Sequence, residues 1–191
     1  MLDDTRIGFA LCGSFCTFDR VIGVLEQMTA AGMDVYPIMS ETAAETDTRF
    51  GDAAAFRARI EAACGRPIVR SIRGAEPIGP KKLLDVLVIA PCTGNTLGKL
   101  AAGIADSAVT LAAKAHLRNE RPVVIAVSTN DALAGNAANI GTLLNRRGYY
   151  FVPMTQDDPE KKPRSVVARM ERIPETVELA LAGRQIQPII G

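Results

Sequence analysis

The sequence has little of what several common functional sites require. It contains no tryptophan, only 5% aromatic residues and a single histidine, His116. So few aromatic side chains argue against a carbohydrate groove or a base-stacking platform. The cysteines Cys12, Cys16, Cys64 and Cys92 form no C-x-x-C pair and lie far from His116 in sequence, so no zinc or other metal site is expected. We interpret them as reduced thiols packed as small apolar groups, although Cys12, Cys16 and Cys92 fall in or beside candidate ligand loops.

Charge of one sign and long apolar runs are also missing. The 22 basic and 21 acidic residues leave a formal charge of +1, which argues against a general nucleic-acid binder or a membrane-surface protein. No apolar run approaches the ~20 residues of a bilayer-spanning helix. Residues 1–6 are acidic ahead of a short apolar run, which is the wrong order for a secretion signal. We therefore expect a soluble cytoplasmic protein without nucleic-acid or membrane partners.

Strand, turn and helix patterns alternate along the chain. Apolar runs predict strands at 6–11, 33–39, 83–90, 122–127 and 149–152, with a weaker strand at 67–70. Helical periodicity predicts helices from the turn at 13–14 to residue 31, and at 50–64, 96–101, 107–117, 140–146 and 174–182. This alternation predicts a parallel sheet with helices on both faces. Residues 1–191 are expected to form one domain, ending in a polar loop and a C-terminal helix at 153–191.

Small polar residues follow four of the predicted strands, at 12–17, 40–42, 91–96 and 128–131. Ligands of open parallel sheets bind at these carboxyl ends. Gly13 and Ser14 open a helix whose free N–H groups favour a phosphate, although a capped turn without a ligand would have the same sequence. There is no G-x-G-x-x-G motif and no P-loop lysine, and Ser40 stands where a ribose-binding acid would be. A cofactor with one phosphate and no adenosine fits best, and FMN is such a cofactor.

The third of these loops carries a resemblance to a known family. Residues 90–96, APCTGNT, followed by Lys99 and by GIAD at 103–106, resemble the PASANT segment of the FMN-binding flavoprotein decarboxylase superfamily. A closer similarity, to the B subunits of bacterial dipicolinate synthases, extends over residues 13–16, 76–82, 90–119, 128–131, 136–141 and 150–153. The resemblance implies a three-layer α/β/α, Rossmann-like (flavodoxin-like), doubly wound parallel sheet that binds FMN.

The resemblance also implies which residues contact the cofactor. Gly13, Ser14 and Phe15 would lie at the FMN phosphate, and Ser40 would close over the cofactor. Residues bordering the isoalloxazine ring would be Pro91, Cys92, Thr93, Asn95 and Thr96. Ser128, Thr129 and Asn130 stand in the place of a Pro-x-Met-Asn loop, where Asn130 would meet a substrate carboxylate.

The implied reaction is the oxidative aromatisation of a dihydrodipicolinate-pathway intermediate to dipicolinate during sporulation. The implied partners are a dipicolinate synthase A subunit, a small dicarboxylate substrate and further copies of the chain in a trimer-based homo-oligomer. The setting would be the cytoplasm of the mother cell. A dicarboxylate requires cationic groups, for which Lys114 and Arg118, one helical turn apart, are candidates; a solvated helix face is the alternative.

One departure from the superfamily leaves the catalytic residues unassigned. The decarboxylases carry a histidine shortly before the PASANT strand, where this chain has Glu76, Pro77, Ile78 and Gly79. Glu76 would serve as an acid or base if burial raised its pKa, but a solvated glutamate fits the same sequence. His116 is better explained as part of a helix. The alternatives are a non-catalytic partner that stabilises or activates the A subunit and, with less support, a flavoprotein decarboxylase or prenyltransferase.

Overall fold

The computed structural model describes Leu2 and residues 5–191. The expectation about an N-terminal signal depends in part on Met1, Asp3 and Asp4, which lie outside the described residues. Within the described part, no helix has both the length and the apolar character needed to cross a membrane.

Five parallel strands form the centre of the molecule. They are β1 (Arg6–Leu11), β2 (Asp34–Met39), β3 (Val86–Cys92), β4 (Val123–Thr129) and β5 (Tyr149–Phe151), in the order β2-β1-β3-β4-β5. This is the flavodoxin-like order, and it confirms the predicted α/β class. β3 is buried along its whole length because VLVIAPC offers apolar side chains to both faces of the sheet.

Two short antiparallel strands extend the sheet at one end, so it is mixed rather than purely parallel as predicted. They are β6 (Met154–Thr155) and β7 (Val166–Ala168). β7 pairs with the last residues of β4, joining Val166 to Thr129 and Val167 to Ser128. The polar loop predicted from residue 153 onward therefore begins with one strand and leads into another, and β7 lies beside the carboxyl end of β4.

Eight helices are described, in two layers around this sheet. Their bounds are α1 (Phe18–Ala30), α2 (Glu41–Glu45), α3 (Ala53–Cys64), α4 (Ile72–Ala75), α5 (Gly94–Ala102), α6 (Ala108–Leu117), α7 (Ala137–Leu144) and α8 (Ile173–Leu181). Three 3-10 turns, at Phe15–Thr17, Glu76–Ile78 and Met170–Arg172, precede α1, follow α4 and precede α8. The predicted strand at 67–70 is wrong, because only Val69 pairs with the sheet, through Ile38.

The order of the strands opens a crevice at one end of the sheet. From β1 the chain turns toward β2, whereas from β3 it turns toward β4, so α1 and α5 diverge at the carboxyl ends of two neighbouring strands. In doubly wound sheets such a switch point is where ligands bind. The loops after β1 and β3 therefore form the two walls of a site.

The opposite end of the sheet is held by an ion-pair cluster. Arg6 places Nε 3.0 Å from Asp85 Oδ2 and Nη2 2.7 Å from Asp85 Oδ1, and Arg121 adds a bond to the same carboxylate. The hydrogen bond from Arg6 keeps the pKa of Asp85 below its usual value. Nearby, His116 is 2% exposed, and its Nε2 atom has no hydrogen-bond partner within the described structure.

Candidate functional site

A cavity of about 770 Å³ lies at the carboxyl ends of β1, β3 and β4. We call it the rim cavity. It is lined by Gly13, Ser14, Phe15, Cys16, Arg49, Phe50, Thr93, Gly94, Asn95, Ser128, Thr129, Asn130, Asp131, Asn136, Asp157, Lys162, Ser165 and Val167. Three of the four predicted loops thus meet in one place, in a volume suited to a small-molecule ligand.

The loop after β1 presents hydrogen-bond donors to this cavity. Ser14 leads into the 3-10 turn at Phe15–Thr17, whose first N–H groups have no acceptor within the turn. Ser14 Oγ lies 2.8 Å from Ser128 Oγ, which ties the loop after β1 to the end of β4. One hydroxyl donates to the other, so the acceptor keeps its own proton for a ligand. This arrangement favours an anionic group such as a phosphate.

The loop after β3 starts helix α5. The Thr93 side chain accepts a hydrogen bond from the backbone N–H of Thr96, which caps the helix. Asn95, in the first turn, lines the rim cavity. The Thr96 hydroxyl instead points inward and lies 3.3 Å from the sulfur of Cys12.

The loop after β4 contains a chain of polar side chains around Asp131. Thr129 Oγ1 donates to one oxygen of Asp131 at 2.6 Å, and Asn136 Nδ2 donates to the other at 2.7 Å. Asn139 in turn donates to Asn136 at 2.9 Å. A Cβ placed on Gly94 would lie 2.4 Å from Asn136 Nδ2 and 2.8 Å from both Asp131 Oδ1 and Thr129 Oγ1. The absence of a side chain at Gly94 therefore lets α5 approach this network closely.

The outer wall of the rim cavity carries charge. Asp157 and Lys162 form an ion pair of 3.1 Å. Burial raises the pKa of Asp157, but hydrogen bonds from Ser165 and Lys162 outweigh it and leave the pKa below its usual value. Arg49 lines the cavity without a carboxylate partner among the described residues. The cavity thus offers an unpaired cation as well as neutral donors.

Four of the predicted cofactor residues do not line the rim cavity. Ser40 caps α2 by accepting a hydrogen bond from Ala43, and the hydroxyl of Thr96 is bonded within the protein. Pro91 and Cys92 are buried in β3. Burial raises the pKa of Cys92 well above its usual value, so its thiol is an inert core group. These four residues lie behind the lining of the rim cavity, and their contact with the cofactor stays a prediction.

The predicted substrate cations lie elsewhere. Lys114 lines a second cavity, of about 830 Å³, which is lined by none of the rim residues. Arg118 follows α6, with its Nη2 3.1 Å from where a Cβ on Gly79 would be. Both positions are near the amino end of β4, because α6 runs back along the sheet. Neither Lys114 nor Arg118 lines the rim cavity, so their contact with a substrate beside the cofactor stays a prediction.

Glu76 is likewise distant from the site. It is exposed at the start of the 3-10 turn Glu76–Ile78 and does not line the rim cavity. An exposed carboxylate away from the cavity does not serve as an acid or base there. The solvated alternative is the one that the structure favours.

Sequence reasoning missed several residues that line the rim cavity. Asp131 belongs to the predicted ligand loop at 128–131, but its hydrogen bonds to Thr129 and Asn136 could not be predicted from the sequence. Gly94 likewise belongs to the predicted loop at 91–96. The others come from segments that showed no ligand pattern: Arg49, Phe50, Asn136, Asp157, Lys162, Ser165 and Val167.

Comparison with known proteins identifies the family. The sequence model of the Flavoprotein family matches residues 1–181. The chain belongs to the flavoprotein family. This confirms the resemblance found in the loop after β3.

The chain is similar to two dipicolinate synthase B subunits and to a decarboxylase. The chain is 47% identical over 189 residues to the B subunit of dipicolinate synthase from Bacillus subtilis (strain 168), covering 99% of this chain and 94% of that protein. The crystal structure of the dipicolinate synthase B subunit from Bacillus halodurans superposes with a TM-score of 0.91 at 45% identity, covering 100% and 97% of the two chains. The FMN-dependent cysteine decarboxylase SpaF gives a TM-score of 0.69 at 26% identity, covering 95% and 99%. Family membership and these neighbours support FMN as the cofactor.

Proposed function

We propose that the chain is the FMN-binding B subunit of a dipicolinate synthase and acts with an A subunit to form dipicolinate. The observation that carries the proposal is the rim cavity, where three loops meet at the switch point of a chain that is 47% identical to a B subunit. The reaction would be the oxidative aromatisation of a small cyclic dicarboxylate. The homo-oligomer, the trimer-based assembly and the cytoplasmic location stay predictions.

The residues present fit FMN. Its phosphate would bind Gly13, Ser14 and Phe15, where free N–H groups and the Ser14–Ser128 hydroxyl pair converge. A Cβ on Gly13 would come within 3.4 Å of both Phe15 and Thr42, so the loop is already closely packed there. Thr93, Asn95 and Thr129 would offer polar groups to the edge of the ring system. When bound, FMN supplies an acceptor for the two electrons and the proton that leave the substrate as a hydride.

The protein's own groups would orient the substrate and the cofactor. Asn130 would meet a substrate carboxylate, as proposed from its place in the loop after β4. Asp131 is held in one orientation by Thr129 and Asn136, so it fixes the donors of this loop. The aromatic rings of Phe15 and Phe50 would shield the cavity from water. The described structure places no histidine in this cavity, so proton transfer would depend on these carboxylate and hydroxyl groups or on the A subunit.

Two measurements test this function. Saturating FMN should raise the melting temperature of the purified chain, because a ligand that binds only the folded state stabilises it. Dipicolinate formation should then require both subunits together with FMN. If saturating FMN leaves both the visible absorption and the melting temperature unchanged, the flavin part of the proposal is wrong.

A non-catalytic role is the second candidate, favoured by the lack of a histidine before β3 and by the exposed position of Glu76. Under that hypothesis the chain would only stabilise or activate the A subunit. Asn95→Ala and Ser14→Asp separate the two hypotheses, since both alter the rim cavity. A scaffold would support the activity of the A subunit equally well with either substitution, whereas an FMN-binding subunit would lose activity.

A further inference from the structure

We propose that Arg49 and Phe50 form the subsite that recognises the substrate of the rim cavity, a flat ring bearing carboxylates. Arg49 would bind a carboxylate and Phe50 would pack against the ring. The inference deepens the proposed function and rests on it. It is an alternative to Lys114 and Arg118, neither of which lines the rim cavity.

Arg49 and Phe50 occupy the tip of a tight turn. Thr48 and Gly51 exchange two backbone hydrogen bonds, of 3.1 and 3.0 Å, which leaves the two residues between them projecting from the loop that joins α2 to α3. The N–H of Phe50 also donates to the Thr48 hydroxyl at 3.2 Å. Both side chains line the rim cavity, and Phe50 is 42% exposed. The two side chains at the tip therefore border the rim cavity and are not packed into the core.

Aromatic side chains pack against the base of this turn. Gly51 has a φ of +144°, and a Cβ there would lie 2.7 Å from the ring of Phe56. Phe56 makes an edge contact with Phe18 at 5.1 Å, and Phe18 contacts Phe15, also at 5.1 Å. Since Phe15 lines the cavity as well, a continuous row of aromatic rings joins the base of the turn to the proposed cofactor site. The turn and the cavity floor are thus parts of one packed unit.

Arg49 is the cation of this cavity that is left for a ligand. Lys162 pairs with Asp157 at 3.1 Å, whereas no carboxylate of the described residues pairs with Arg49. Its guanidinium carbon lies 4.9 Å from the ring centroid of Phe50, so the cation and the ring share one face of the site. A guanidinium binds a carboxylate with two parallel hydrogen bonds, and an adjacent aromatic ring favours a flat ligand. An aromatic or dihydroaromatic carboxylate satisfies both groups at once.

The test uses the FMN-loaded chain titrated with pyridine-2,6-dicarboxylate, with the uncharged diamide of the same ring as a second probe. Binding is followed by the change in flavin absorption and, independently, by the melting temperature. Arg49→Gln, Arg49→Lys and Phe50→Leu are compared with Lys114→Gln, which removes a cation from the other cavity. The affinity of each variant for FMN alone is measured first.

We expect Arg49→Gln to weaken dicarboxylate binding at least about tenfold while FMN affinity stays within about twofold of the parent chain. Arg49→Lys should recover part of the loss, because an ammonium keeps the charge without the two-bond geometry. Phe50→Leu should weaken both the dicarboxylate and the diamide, and Lys114→Gln neither. The inference is overturned if Arg49→Gln binds the dicarboxylate like the parent, or if the FMN-loaded parent does not bind it at all. Failure of FMN binding in the parent, with Arg49-dependent dicarboxylate binding retained, would instead overturn only the flavin assignment.

Discussion

Substituting Gly94 by alanine is the sharpest single perturbation of the rim cavity. The added Cβ would lie 2.4 Å from Asn136 Nδ2 and 2.8 Å from Asp131 Oδ1 and Thr129 Oγ1, distances at which these atoms must move. The movement would break or lengthen the two bonds to Asp131, of 2.6 and 2.7 Å. A hydrogen bond to a carboxylate contributes about 1.5–3 kcal/mol when fully made, and lengthening the two bonds would lose only part of this, while replacing glycine by alanine in a helix returns about 0.5–1 kcal/mol. The net destabilisation should be about 1 kcal/mol.

Thermal unfolding and FMN titration measure the two consequences. For a domain of this size, a loss of about 1 kcal/mol lowers the melting temperature by about 2–4 °C. The larger effect should be on FMN affinity, which we expect to fall about tenfold, because the displaced side chains line the site. Gly98→Ala is the matched control on the same helix, where the nearest atom would be at 3.5 Å. If Gly94→Ala binds FMN as tightly as Gly98→Ala does, the loop after β4 does not shape the cofactor site.

Three further results are expected. Burial and the nearby Arg121 lower the pKa of His116 to about 4, so the folded state disfavours protonation of this side chain. The contribution of neutral His116 to the free energy of unfolding should be complete above about pH 6.5 and fall by about 3 kcal/mol as the pH drops to 4. Urea unfolding of His116→Gln should show a smaller fall over the same pH range. Asp85 would contribute its own loss only at lower pH, since its folded pKa is depressed. Cys16, exposed at the rim cavity, should be the first thiol modified by a thiol reagent, and FMN should slow that reaction; equal rates with and without FMN would contradict its placement beside the ligand. Ser128→Ala removes the 2.8 Å hydroxyl bond to Ser14 and should weaken FMN binding several-fold with a stability loss of about 1 kcal/mol, whereas unchanged FMN affinity would show that the hydroxyl pair is only structural.

The central strands could be predicted because their sequences allow no other placement. The run at β3 is buried on both faces, and the run at β4 nearly so, which only a covered central strand permits. α2 and α4 have five and four residues, too short for helical periodicity to show. β6 and β7 were missed because their two and three residues are strands only through pairing with each other and with the distant end of β4.

Some residues of the candidate site could also be predicted from the sequence, and others could not. Ser14, Thr93 and Ser128 could be found because the carboxyl ends of parallel strands meet at one edge of a sheet. The distance of Lys114 and Arg118 from the rim cavity could not be predicted, because their spacing shows that they share a helix face but not which end of the sheet that face meets. The direction of α6 decides it. Arg49 could not be found at all, since an arginine in a polar loop has no distinguishing pattern until the turn at Thr48–Gly51 points it at the cavity.

FMN binding in the rim cavity is tested most directly by an equilibrium titration of FMN against the parent chain, Ser14→Asp and Lys114→Gln. A carboxylate at Ser14 would face the phosphate of the cofactor and should weaken binding at least about tenfold, while Lys114→Gln, in the other cavity, should bind like the parent. FMN affinity that falls with Lys114→Gln and is unaffected by Ser14→Asp would show that FMN does not bind in the rim cavity.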